Sequence, residues 1–251
     1  MLHHVKSGLV ALVACLLASS CAGPGASGSN SSSNNGRPDM WGHRPGPQGF
    51  DTVIIDAGHG GKDPGAVSRT TGLKEKDLAL DTAKRLQRQL GGKVKTRLMR
   101  SDDRFIELDD RAARASGQSN TILVSLHYNS SGSAIRGPET YYWRVDSHGL
   151  ATRLQRAMVG VSPAESGNRG MVRRRLRLTR NPDIPCVLIE IGYLSNASEA
   201  RLCATPAYRD KMAAAIARAI LDQKANGDAG TGALPRPINA PPSRPTDAPG
   251  S

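Results

Sequence analysis

The chain has 251 residues, of which 38% are hydrophobic and 22% charged, with a formal net charge of +12. That composition excludes wholesale disorder in its central part, where a buried core can form, and no internal repeat divides it. The positive field favours anionic surroundings (nucleic acid, phosphorylated polymers, anionic lipid or carboxylate-rich polymers) without choosing among them.

Residues 1–20 read as an export signal: a short polar start with one Lys, an apolar run from Gly8 to about Ala18, then small residues before Cys21. The run is too short for an ordinary membrane-spanning helix. Cys21 followed by a Gly/Ser/Asn leash over residues 21–50 resembles a bacterial lipoprotein signal and makes Cys21 the candidate for lipidation. Ala18 stands where such signals usually have Leu, and Leu12-Val13-Ala14-Cys15 fits the pattern better but lies too early. The alternative is a cleaved signal peptide that leaves a soluble secreted protein. Residues 51–224 carry the core-forming sequence, and residues 225–251, with six prolines from Pro235 onward, are expected to be a disordered tail.

Within the central region, strand-like runs fall at Thr52–Asp56, Val94–Met99, Thr121–Leu126, Glu139–Trp143 and Ile184–Glu190, the third and fifth continuous enough for central buried strands. Leu78, Ala79, Leu86 and Leu90 recur at helical spacing and stop at Gly91-Gly92. Ile106–Ala115 and Gly149–Val159 behave similarly, and a last helix opens at Thr205-Pro206 and runs through Ile220. The alternation predicts one α/β layered domain, a mostly parallel mixed sheet with helices on both faces.

In such sheets ligands bind outside the carboxyl ends of the strands. His59 follows the first strand in a glycine-rich turn, His127 ends the third and Glu190 ends the fifth. Taken singly, each has a bland reading as a hydrogen-bonded or solvated residue. Glu75, at the start of a helix, fits the helix dipole. Together, two imidazoles and two carboxylates at one sheet edge can meet in one cleft. A His-Glu-His set leaves zinc an open position for water, and a further carboxylate can take the proton.

Four blocks, Ile54-Ile55-Asp56-Ala57-Gly58-His59-Gly60-Gly61-Lys62-Asp63-Pro64-Gly65, Lys74-Glu75-Lys76-Asp77-Leu78, Ser125-Leu126-His127-Tyr128-Asn129 and Val187-Leu188-Ile189-Glu190-Ile191-Gly192-Tyr193-Leu194-Ser195-Asn196, resemble in order and spacing the motifs of the zinc-dependent N-acetylmuramoyl-L-alanine amidases of type 3. The resemblance spans about residues 52–222, including the stretch from Arg100-Ser101-Asp102-Asp103 to Leu108-Asp109-Asp110-Arg111. It implies that His59, Glu75 and His127 bind Zn2+ and that Glu190 is the catalytic carboxylate. The reaction it implies is cleavage of the amide between the lactyl group of N-acetylmuramic acid and the L-alanine of the stem peptide. Asn129 is a candidate for orienting substrate or a ligand, with a strand-end turn amide as its bland reading. Some members carry an extra helix over the zinc until a partner removes it. The span from His127 to Glu190 leaves little room for one, so an uncovered site is expected.

Arg173-Arg174-Arg175-Leu176-Arg177 is the densest basic cluster, but aromatics are 4% of the chain and none interleaves with it. Base stacking therefore has few candidates, no nucleic acid partner is expected, and a solvated or polymer-attracted face is the reading. Gly58-His59-Gly60-Gly61 lacks the ending of a phosphate loop. Cys186 and Cys203 could pair after export, or stay reduced as small hydrophobes. The expectation is thus an exported monomer acting on peptidoglycan in the periplasm or cell envelope, anchored to the membrane if Cys21 is lipidated. The alternatives are a zinc peptidase cutting within the stem peptide and a non-catalytic basic envelope-binding protein.

Overall fold

The computed structural model describes residues 45–233, so the expected signal, Cys21, most of the leash and most of the tail lie outside the described residues. The fold is a six-stranded mixed sheet in the order β2-β1-β3-β6-β4-β5, built from β1 (Thr52–Ala57), β2 (Lys95–Leu98), β3 (Thr121–Asn129), β4 (Glu139–Tyr142), β5 (Gly170–Arg173) and β6 (Cys186–Tyr193). Neighbours are parallel except β4 against β6. Because β4 runs backwards, its first residue lies at the edge where β1, β3 and β6 end.

Helices cover both faces. Val53, Ile55, Val124, Leu126, Val187 and Ile189 point to one side and pack with the apolar stripes of α1 (Glu75–Leu90), α3 (His148–Val159) and α6 (Pro206–Asn226). Ile54, Leu123 and Cys186 point to the other and pack with residues of α2 (Leu108–Ala115) and α4 (Arg177–Arg180). Period-two alternation on strands buried on both faces explains the continuous apolar runs of β1, β3 and β6. Fully burying a Leu such as Leu86 or Leu150, both 0% exposed, contributes about 1.5–3 kcal/mol. α1 keeps Glu75 and Asp77 in its first turn, and α6 opens with Thr205 Oγ1 accepting from the Tyr208 amide and Pro206 behind it. No helix among the described residues is long and apolar enough to cross a membrane.

One strand and two α-helices are additional to the expected ones, β5, α4 and α5 (Ala197–Ala204), besides two short 3-10 turns at Val145–Ser147 and Ala164–Ser166. The third and fifth strands run past their expected ends, to Asn129 and Tyr193, because backbone pairing continues where the side chains turn polar. The packed unit also overruns its expected bounds of 51 and 224. Helix α6 continues to Asn226, Asp228 accepts from the Gly46 amide at 2.5 Å, Gln48 Nε2 donates to the Ala225 carbonyl and the Gly49 amide to the Lys224 carbonyl. Arg153 ties in the Gly227 and Ala229 carbonyls. Polar contacts of this kind leave no apolar periodicity to read. Cys186 and Cys203 are free thiols in two different core clusters.

Candidate metal centre and catalytic carboxylate

The turn after β1 carries His59 in a left-handed conformation, φ +60, which a residue other than glycine adopts at a cost. Two buried arginines hold it. Arg111, 2% exposed, pairs with Asp56 (Nη1–Oδ1 2.5 Å) and donates to the carbonyls of Ala57 and of His59 itself at 2.8 and 2.6 Å. The other oxygen of Asp56 accepts from Ser125 at 2.6 Å. Arg100 donates to the carbonyls of Ala57 and Gly58 at 3.0 and 2.8 Å. Gly58 is required: a Cβ there would lie 2.3 Å from the His127 ring.

Glu75 opens α1 and reaches back under this turn. Its Oε1 lies 3.0 Å from His59 Nε2 and 2.9 Å from His127 Nδ1, and accepts from the Tyr128 amide at 3.0 Å. Its Oε2 accepts from the Ala66 amide at 2.8 Å. One ligand atom from each of His59, Glu75 and His127 can be chosen so that all lie within 4.8 Å of one another. Asp63 Oδ2 meets His59 Nδ1 at 2.7 Å, fixing which ring nitrogen faces Glu75. Burial pulls Glu75 upward, but the hydrogen bonds and positive charge of His127 and His59 outweigh it and hold the carboxyl well below its ordinary range.

Glu190 stands in register with His127 on the adjacent strand. Leu188 and Glu190 share the face carrying His127, and Glu190 Oε2 is buried with no hydrogen-bond partner among the described residues. Burial first, then the negative charges of Glu75 and Glu139, push its pKa well above the usual value. Glu190 is therefore inside a strand and buried, where a solvated strand end is the bland expectation.

Between His127 and Asn129 on β3, the partners on β6 jump from Glu190 to Tyr193, one residue more than on β3. This irregularity re-aims Tyr193 toward the face of Glu190, as bulges beside active sites do. Tyr193 Oη donates to Glu139 Oε2 at 2.6 Å and accepts from Asn129 Nδ2 at 3.3 Å; Tyr141 Oη donates to the same oxygen of Glu139 at 3.0 Å. Asn129 thus sits at the strand end, where its side chain donates to Tyr193 and accepts from the Ser130 amide, and among the described residues it makes no hydrogen bond to His59, Glu75 or His127.

A cavity of 460 Å³ opens beside His59 and His127, walled by Phe105, Leu108, Leu178 and Leu188. The side chains of His59 and His127 stay 23% and 15% exposed, so both reach solvent. The arginine cluster is not a solvated face. Residues 170–177 are half-buried as β5 and the approach to α4, and the guanidiniums of Arg173 and Arg175 lie 5.3 and 5.6 Å from the Trp143 ring centre. Trp143 is far away in sequence, so no local pattern announces this packing. Asp56, Arg100, Arg111, Asp63, Glu139 and Tyr193 are neighbours of the candidate site that the sequence did not single out. The one available signal was Asp56, a charge inside an apolar strand that needs a buried partner.

A family model described as N-acetylmuramoyl-L-alanine amidase matches residues 53–222. Protein YqiI of Bacillus subtilis is 36% identical over 174 residues, 67% of this chain and 82% of that protein. The N-acetylmuramoyl-L-alanine amidase LytC of the same organism is 33% identical over 173 residues, 66% of this chain and 34% of LytC, so the chain spans about a third of that relative. The crystal structure of an N-acetylmuramoyl-L-alanine amidase from Clostridium difficile 630 superposes with a TM-score of 0.66 at 34% identity, covering 70% of this chain and 97% of that one.

Proposed function

The chain belongs to the N-acetylmuramoyl-L-alanine amidase family, and from that premise we propose that His59, Glu75 and His127 hold a zinc ion and that Glu190 moves the proton. The protein is a peptidoglycan amidase, hydrolysing the bond between the lactyl group of N-acetylmuramic acid and the L-alanine of the stem peptide. The donor set fits zinc. Two imidazoles and one carboxylate converge, the carboxylate is held in its ionised form, and a second carboxylate, Asp63, sets the ring orientation of His59. When bound, zinc supplies Lewis-acid chemistry, lowering the pKa of a water and drawing charge from the scissile carbonyl.

The remaining steps belong to the chain. Arg111 and Arg100 fix the backbone of the turn, so His59 is set before any ligand arrives. Glu190 takes the proton of the attacking water on its carboxylate and delivers it to the alanine nitrogen as the C–N bond breaks. Its raised pKa suits a carboxyl that must carry a proton for part of the cycle. The apolar wall of Phe105, Leu108, Leu178 and Leu188 excludes water from the peptide side.

The observation that carries this reading is the register of Glu190 beside His127, with its Oε2 unpartnered among the described residues, next to three convergent ligand atoms. Action on peptidoglycan calls for export, which residues 1–20 fit; lipidation of Cys21 would keep the enzyme at a membrane. The test is digestion of purified peptidoglycan with and without chelator and added zinc, alongside Glu190→Gln, with products read by mass spectrometry. Stem peptides with a free L-alanine amine, lost on chelation and in the variant, are expected. Cuts inside the peptide would replace this reading with a peptidase.

A further inference from the structure

We propose that Arg177 reads a carboxylate of the stem peptide, an inference that rests on the amidase reading above. Two arginines are among the residues lining the cavity beside His59 and His127, Arg111 and Arg177. Arg111 is committed: its nitrogens donate to Asp56 and to the carbonyls of Ala57, His59 and Ile106. Arg177 is not. Its Nη1 lies 3.1 Å from Asp109, a side chain 66% exposed, while its Nε and Nη2 are buried without an acceptor among the described residues.

A guanidinium edge with two idle donors on a side chain only 12% exposed is costly until an acceptor fills it. The Nε–Nη2 edge is the planar fork that a carboxylate fills with two parallel hydrogen bonds, which an ammonium cannot match. Leu176 and Leu178 flank it on the cavity wall, and such apolar surroundings strengthen a charge-assisted contact. The substrate's chemistry then selects the partner. The muramic acid carboxyl is consumed in the scissile amide, so in a muramoyl peptide the anionic groups lie on the peptide side of the cut. Peptide extending from L-alanine into this cavity would bring a carboxylate to Arg177, and amidation of that carboxylate would remove the match.

The test is steady-state hydrolysis by the zinc-loaded full chain of N-acetylmuramoyl-L-alanyl-D-glutamate with both glutamate carboxyls free, with either one amidated, and with both amidated. Arg177→Met and Arg177→Lys are compared with wild type, and Arg218→Met, on the exposed face of α6, controls for lost charge. Wild type should show a KM about 10-fold lower when the recognised carboxylate is free, and the singly amidated pair identifies which one that is. Arg177→Met should abolish the preference, Arg177→Lys should restore part of it, and Arg218→Met should keep it. Calorimetric titration with the product dipeptide L-alanyl-D-glutamate reads the same contact without turnover and should weaken about 10-fold in Arg177→Met. Turnover with an unchanged preference in Arg177→Met, or with no preference in wild type, overturns the role of Arg177 alone. Dipeptide binding that depends on Arg177, with no hydrolysis of any substrate, overturns the amidase reading instead.

Discussion

Glu139 and Glu190 stand directly opposite one another on the antiparallel strands β4 and β6, two buried carboxyls on one face of the sheet. Glu139 is satisfied by the hydroxyls of Tyr193 and Tyr141, whereas Glu190 Oε2 has no partner among the described residues. The ionised form of Glu190 is therefore the expensive one. Burial, then the charges of Glu75 and Glu139, raise its pKa, so above the unfolded pKa of about 4.3 this residue subtracts from the stability of the metal-free protein.

Glu190→Gln should accordingly separate activity from stability. Turnover should fall by about 10²–10⁴, while the metal-free protein gains about 1 kcal/mol. Hydrolysis rates and urea midpoints at pH 7 check this together, and a variant with a lower midpoint would refute the assignment of Glu190 as an uncompensated buried carboxyl.

The Arg111–Asp56 pair is buried on both sides, so removing one partner strands the other. Arg111→Met should cost about 3–5 kcal/mol and weaken zinc binding about 10–100-fold by releasing the His59 carbonyl. Pairing it with Asp56→Leu should recover much of the stability without recovering metal affinity. Competition against a chromophoric chelator reads the affinity; full recovery in the double variant would show that Arg111 acts on stability alone.

Asp81 gives a stability term with a defined pH sign. Burial pulls its carboxyl up, and hydrogen bonds from Arg85 and Arg209 outweigh that and hold it below the ordinary value. The contribution is present above about pH 4 and is lost as pH falls through the depressed folded pKa. At 37% exposure it amounts to about 0.5–1 kcal/mol after screening. Asp81→Asn should lose that amount at pH 7 and less at pH 3, measured by urea unfolding; an equal loss at both would remove the ionic explanation.

Cys186 and Cys203 lie in separate core clusters and burial raises both thiols. A chain starting at residue 37 should therefore show no thiol reactive to a disulfide reagent when native, two on unfolding, and no mobility shift with reductant. Loss of both thiol equivalents on unfolding under non-reducing conditions, recovered with reductant, would contradict the arrangement.

Strand–helix alternation, both histidines, Glu75 and Glu190 were legible because each follows a strong apolar run or opens a periodic helix. The continuation of β3 and β6 past those runs was not, since polar residues facing a ligand site look the same as loop residues in one dimension. α5 does carry a local signal: Asn196 accepts from the amides of Ser198 and Glu199, the signature of a helix start. The half-burial of residues 170–177 and the Arg111–Asp56 pair depend on partners distant in the chain, which no local period encodes.

The hydrogen bonds that join Gly46, Gln48 and Gly49 to residues 224–228 have a geometric corollary. Both ends of the folded unit leave from the side where β1 begins, and the six residues of β1 put about 20 Å between that side and His59. A chain restrained at residue 45 therefore turns its cleft away from the point of restraint. With adjoining ends, joining residues 45 and 233 and reopening the ring at a loop remote from the cleft is a permutation the architecture can accommodate.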